Sequence, residues 1–114
     1  MKLNPDQFIT GIGGVLLMKP APESTPEADP APWTVRDVLV NALMGDLDPK
    51  ATGVVKYDRG KLAERIHEAN GEHPAELTAE EVVTCKNLVG IGFTTAIIVP
   101  VWDILEGAGA ETAG

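Results

Sequence analysis

The side chains able to do chemistry are few and dispersed: two histidines at 67 and 73, a cysteine at 85, and adjacent acids at Glu80 and Glu81. A zinc site needs several nitrogen, sulfur or carboxylate donors converging on one point. His67 and His73 have no nearby cysteine and no convergent acid. Glu80 and Glu81 are sequence neighbours, so a helix points them about 100° apart. Asp103 and Glu106 have the spacing of a solvated helix end. A nucleophile needs a base within reach, and no HExxH, CxxC, GxSxG or phosphate-loop pattern occurs. The glycines at Gly11, Gly13 and Gly14 lack the lysine, the preceding strand and the following helix of a phosphate cradle. The expectation is a chain with no catalytic residue, no cofactor and no metal, and therefore not an enzyme.

Charge narrows the partners. Seventeen acids against nine bases give a net charge of -8. Phosphate binding needs clustered Lys and Arg, and no basic stripe is present, so direct nucleic-acid binding is not expected. Acids recur at Glu64, Glu68, Glu72, Glu76, Glu80 and Glu81. The plain reading is a solvated face; the sharper one is a lure for a basic groove, opposed by the bases in between. Glu64, Glu68, Glu72 and Glu76 are the expected partner-binding residues, together with the hairpin of residues 7–19 or the proline-rich segment 20–32, because the apolar stripes of the helices are needed for a core.

These residues have to be carried by a framework of about one domain, expected over 1–107. Hydrophobic residues make up 44% of the chain but aromatic ones only 4%. The core must then be aliphatic, and a homodimer would add stability. The single cysteine excludes an internal disulfide and fits a reducing compartment; its neighbours Val82, Val83, Leu88 and Val89 mark it as a buried small hydrophobe. Residues 1–7 are polar and Val15–Met18 is too short for a secretory core.

Phe8–Ile9 and Val15–Met18 flank the glycine-rich stretch and predict a β-hairpin. Residues 20–32 hold five prolines and predict a loop within the domain, flexible or extended, with a polyproline docking segment as its functional alternative. A first helix begins at Thr34, where Thr34 and Asp37 have capping-box spacing, and stops at Gly45. Trp33 would pack onto Val38. A second helix runs from about residue 54 or 56 to Ala69, stopped by Asn70-Gly71, with Leu62, Ala63 and Ile66 on one face. A third opens at Thr78, with Glu81 completing another box; it buries Val82, Cys85, Leu88 and Val89 and is broken or kinked by Gly90-Ile91-Gly92. A fourth, Thr95 to Glu106, contains Pro100, which predicts a kink or an irregular start. Residues 108–114 read as a disordered tail. The fold class is mainly α, four helices with a short N-terminal β-hairpin, in a single small α+β domain. Leu62, Ile66, Leu88, Val89, Ile98 and Leu105 are expected to share one core.

From Asn87 to Trp102 the chain carries no charge over 16 residues. A membrane span needs about 20. The run is also interrupted by glycines and a proline, has no basic cluster beside it, and ends at Asp103. A buried helical hairpin is expected there, with a membrane-active segment over 87–105 as the alternative.

The order TVRDVLVNALMG, RGKLAERIHEA, LTAEEVVTCKNLVGIGF and WDILEG resembles a group of small proteins of tailed phages and prophages. The resemblance covers residues 8–19 and 33–107. It rests on Val38, Leu39, Asn41, Ala42 and Leu43, on Leu77 to Glu81, on Lys86, Leu88, Val89 and Gly90, and on Leu105, Glu106 and Gly107. The chain departs from it in the long 20–32 insertion and in Thr84-Cys85, which replaces a bulkier apolar pair. The matching positions build helices and carry no chemistry. The resemblance implies a protein acting in the cytoplasm of a bacterial host cell by binding a protein of the host or of the phage particle. One role it implies is inhibition of host nucleic-acid-handling or defence machinery, in the manner of an anti-CRISPR; another is that of a tail-assembly chaperone or structural component of the virion.

Without metal or disulfide in the framework, a chelator together with a reductant should leave the melting temperature unchanged. A fall of several degrees with the chelator alone would show that a ligand set had been overlooked.

Overall fold

The computed structural model describes residues 2–19 and 31–113, with side chains through 107. The elements in chain order are β1 (Lys2–Leu3), a 3-10 turn (Ile12–Gly14), β2 (Met18–Lys19), β3 (Ala31–Pro32), α1 (Val35–Met44), α2 (Gly53–Glu68), β4 (Ala75–Glu76), α3 (Ala79–Gly92) and α4 (Thr95–Ala113). This is the mainly helical fold with a small N-terminal hairpin that the sequence predicts.

Both capping boxes form. At α1 the Thr34 hydroxyl accepts the Asp37 amide at 3.2 Å and the Asp37 carboxylate accepts the Thr34 amide at 3.1 Å. At α3 the Glu81 amide donates to Thr78 Oγ1 at 3.2 Å and the Thr78 amide to the Glu81 carboxylate at 2.9 Å. Each box satisfies two backbone donors that a helix start otherwise leaves without partners. A third cap escaped the sequence reading: Thr52 accepts the Val55 amide at 3.3 Å and starts α2 at Gly53.

The helix ends differ from expectation. Gly45 sits at φ -85°, and the left-handed residue after α1 is Asp46, at φ 50°. Asp is among the few non-glycine residues that tolerate this conformation. α2 ends on Ala69 in extended conformation. The turn that follows is built by the Asn70 side chain, which accepts the amides of Glu72 at 2.9 Å and His73 at 2.8 Å, an Asx-type turn. The expected break at Gly90-Ile91-Gly92 falls on its last residue, since α3 ends at Gly92 and α4 begins at Thr95. There the missing side chain has a packing use, because a Cβ on Gly92 would collide with Leu47. α4 is continuous through Pro100 and its backbone runs on to Ala113. The expected disordered tail at 108–114 is therefore helical to residue 113. Ala108, Ala110 and Ala113 are the best helix formers, and extending an existing helix costs far less than nucleating one.

In the proline-rich segment, Ala31 and Pro32 are strand: β2 pairs β3 antiparallel, Met18 opposite Pro32 and Lys19 opposite Ala31. The loop and polyproline readings of residues 20–30 lie outside the described residues. β1 pairs β4, Lys2 opposite Glu76 and Leu3 opposite Ala75.

α1 packs against α2 and α3, α3 against α4, and α4 against β1. One core joins them, from Leu3 and Ile9 through Leu39, Ile66 and Val89 to Leu105. Five of the six residues named from the sequence are buried in it; Ile98 is partly buried against its edge. Trp102 on α4 donates its indole N–H to the Lys86 carbonyl at 3.1 Å. Lys86 in turn lies 4.7 Å from the indole ring and 2.6 Å from Glu106. Lys86 and Glu106 thus meet across the α3–α4 pair.

Leu88→Ala should cost about 2–5 kcal/mol, as truncations of buried leucine do, and Thr78→Ala about 0.5–2 kcal/mol, both read from chemical denaturation. A Leu88→Ala cost near zero would place that stripe in solvent, and neutrality of both Thr78→Ala and Glu81→Ala would remove the second capping box.

Candidate functional site

The hairpin has more apolar side chains than it can bury. Ile9 is fully buried and Leu17 is packed against the core. Phe8, Leu16 and Met18, on the alternate positions, face outward at 53%, 41% and 48% exposure, as the two-residue period of a strand requires. The strands are joined through the Thr10–Leu16 bridge. The Leu17 amide donates to the Ile9 carbonyl at 2.9 Å and the Gly11 amide to the Val15 carbonyl at 2.8 Å. At the tip Gly13 and Gly14 take φ 81° and 77°, a region that favours glycine. This turn lifts Ile12 wholly into solvent.

The hairpin is tied to the helices from behind. Trp33 donates its amide to the Leu17 carbonyl at 2.8 Å and accepts the Ile9 amide at 2.9 Å. Its ring meets Phe93 edge-on at 6.0 Å, so its indole has a partner at the α3–α4 junction. Lys19 bridges to Asp37 at 3.0 Å. Burial alone raises the Asp37 carboxyl, but hydrogen bonds from Lys19 and from the Thr34 amide and hydroxyl, together with the Lys19 charge, outweigh it and hold Asp37 below its usual value.

Between hairpin and α4 lies a cleft of about 750 Å³, whose walls include Ile12, Leu17, Ala96, Val99, Pro100 and Asp103. The α4 residues recur at helical spacing and share one face. Asp103 is the one ionisable group lining the cleft. It is exposed, and among the described residues it makes no ion pair or hydrogen bond. Val99, at 53% exposure, continues the apolar surface outside.

The four acids expected to bind a partner, Glu64, Glu68, Glu72 and Glu76, are all exposed. Glu64 and Glu68 are one turn apart on α2; Glu72 is in the following loop and Glu76 on β4, opposite Lys2. The surface they form is mixed in sign. Glu64 pairs with Lys61 at 3.3 Å, and Arg65 pairs with Glu81 and donates to the Glu76 carbonyl at 3.3 Å. The hairpin is a partner contact expected from the sequence beside these acids, but which of its residues face outward was not legible, because Phe8–Ile9 and Val15–Met18 are apolar throughout and hide the alternation that separates an inner from an outer face.

The other chemical candidates fall away. No group of three or more His, Cys, Asp or Glu converges among the described residues. Cys85 is fully buried; burial first, and the Glu81 charge second, push its thiol up to about 12 against a smaller opposing effect of Arg65. Such a thiol supplies no thiolate nucleophile near neutrality. A smaller cavity of about 210 Å³ adjoins Arg59, which bridges to Asp48 at 3.3 Å while its Nε has no hydrogen-bond partner. The Asp48 carboxyl is held low, chiefly by the Lys50 amide and, against slight desolvation, by Arg59. Residues 87–105 are divided between α3 and α4, and among the described residues no helix is long and apolar enough to cross a membrane.

Because the folded Asp37 is lowered, the unfolded chain takes up its proton first as pH falls. The stability Asp37 contributes is full above the unfolded value of about 3.9 and is lost as pH drops through the lower folded value. The melting temperature of the native protein should therefore fall more steeply as pH drops below about 3.9 than that of Asp37→Asn; parallel curves would show that the Asp37 charge contributes nothing.

Comparison of the chain with protein-family models, with curated proteins and with solved structures finds no match.

Proposed function

We propose that this is a non-catalytic protein of phage or prophage type that works by docking onto another protein, as an inhibitor of a host nucleic-acid-handling or defence complex. The observation that carries the reading is the exposed apolar hairpin beside the α4 cleft. Isolated soluble domains rarely leave large apolar patches uncovered. Phe8, Leu16 and Met18 are exposed on the outer side of one hairpin and Ile12 at its tip, and a protein surface would remove them from water together. The aromatic and aliphatic side chains there are of the kind that occupy the buried centre of protein interfaces.

The acidic residues add a second contribution. Glu64, Glu68, Glu72 and Glu76, on a chain of net charge -8, favour approach to a basic surface, which a nucleic-acid-handling complex offers. Charges at a rim act mainly on association rate and partner choice. Docking through the hairpin and steering by the acidic side divide the work between two surfaces.

The test is quantitative affinity capture from the bacterial host with three baits: the native protein, the double variant Ile12→Asp with Val99→Asp, and the double reversal Glu64→Lys with Glu68→Lys. A host complex should be enriched by the native protein and lost by about tenfold or more with the first variant. The reversal should bind more slowly and with a flatter salt dependence. Equal recovery with all three baits would end the docking reading, and specific recovery of particle proteins would move the role to assembly.

A further inference from the structure

We infer that the cleft between the hairpin and α4 accepts an apolar segment of the partner carrying a lysine or arginine beside its apolar anchors, with Asp103 holding the cation. This rests on the protein-docking reading above and adds the chemistry of the segment that is recognised.

The occupant is a polypeptide because the apolar surface is wider than the cleft. A small molecule filling the cleft would leave Val15, on the same side of the strand as the cleft-lining Leu17, in solvent at 65% exposure; a chain running along that side covers it as well. The occupant is cationic because the one charged group that lines the cleft is a carboxylate. Asp103 is its one ionisable lining residue and lies exposed one turn beyond Pro100 on α4. Pro100 has no N–H to donate, so the Ala96 carbonyl four residues earlier lacks its usual helical donor. Ala96, Pro100 and Asp103 all line the cleft. Carboxylate and carbonyl together suit a multiply donating cation, and the apolar walls lower the local dielectric and strengthen the pairing. An acidic segment would meet repulsion from Asp103 and from the overall charge of -8.

A second copy of this chain is a poorer occupant. The base on the hairpin, Lys19, is already engaged with Asp37 at 3.0 Å. A symmetric pairing of two such faces brings two Asp103 carboxylates together with no uncommitted cation from either cleft lining.

The experiment is selection from a displayed random-peptide library on the immobilised full chain, with counter-selection on the folded Ile12→Asp variant. Enriched peptides should combine apolar residues with Lys or Arg. A synthetic copy of the most enriched peptide, followed by fluorescence anisotropy, should bind Asp103→Asn about tenfold more weakly. Replacing its base with Glu should weaken binding to the native protein and restore it to Asp103→Lys. Circular dichroism and melting of each variant separate a binding loss from misfolding.

Enriched peptides without a basic residue, or unchanged affinity for Asp103→Asn, would overturn the inference while leaving the docking reading intact. A dimer in sedimentation that Ile12→Asp dissociates would assign the cleft to a second copy and also overturn it. Absence of any cleft-dependent peptide, combined with undiminished host capture by the cleft variant, would count against both readings.

Discussion

Arg36 is the point on which the arrangement of elements depends. From the first turn of α1 its guanidinium reaches two others at once. Nε and Nη2 donate to the carbonyls of His67 and Ala69, at 3.1 and 2.5 Å, and Nη1 pairs with Asp6 at 2.6 Å. The carbonyls at a helix end have no intrahelical partners and carry the negative end of the helix dipole, so a fixed cation is well matched to them. The Arg36 amide also donates to the Pro5 carbonyl at 3.0 Å. One residue therefore sets the end of α2 and the path of the N-terminal segment relative to α1. That path delivers Ile9 into the core and leaves the hairpin projecting beside α4.

The exposed apolar surface follows from how the apolar residues are shared out. The three helices α1, α2 and α3 supply a compact aliphatic core without large rings at its centre. Trp33, Phe93 and Trp102 sit at the margins, where each serves as a joint between elements. The hairpin contributes Ile9 and Leu17 inward and has nothing within the described residues to cover its outer side. Its exposure is consistent with the helices already being committed to one another.

The local parts of this structure were legible because their causes lie within four residues. The Thr34 and Thr78 caps, the α1 stripe and the burial of Cys85 can each be read from neighbouring side chains. Thr52 was missed because Gly53-Val54-Val55 does not look like a helix start, and the packing of Leu62 and Ile66 sustains α2 regardless. The end of α4 was missed because glycine and proline were weighed as breakers, whereas the helix was already propagating. Asp46 and Asn70 show that a turn can be made by a polar side chain beside a glycine that only looks responsible. The Arg36 clamp, the β1–β4 ladder and the α4 cleft join residues far apart in sequence, and no periodicity encodes them. The acids of α2 were legible as charge, but not the bases that the fold sets among them.

The β1–β4 ladder has a consequence for the order of folding. Leu3 is nearly fully buried and lies opposite Ala75, so this first strand finds its partner only after α1, α2 and the Asn70 turn have brought Ala75 near. Closing so long a loop is entropically costly and slow compared with forming a capped helix. During synthesis, β1 emerges before α1 and α2 and is placed after them. Until that ladder closes, Leu3 and the hairpin's inner side remain open to solvent. The nascent chain in that interval exposes a larger apolar surface than the finished protein, and it is the stage most vulnerable to premature association.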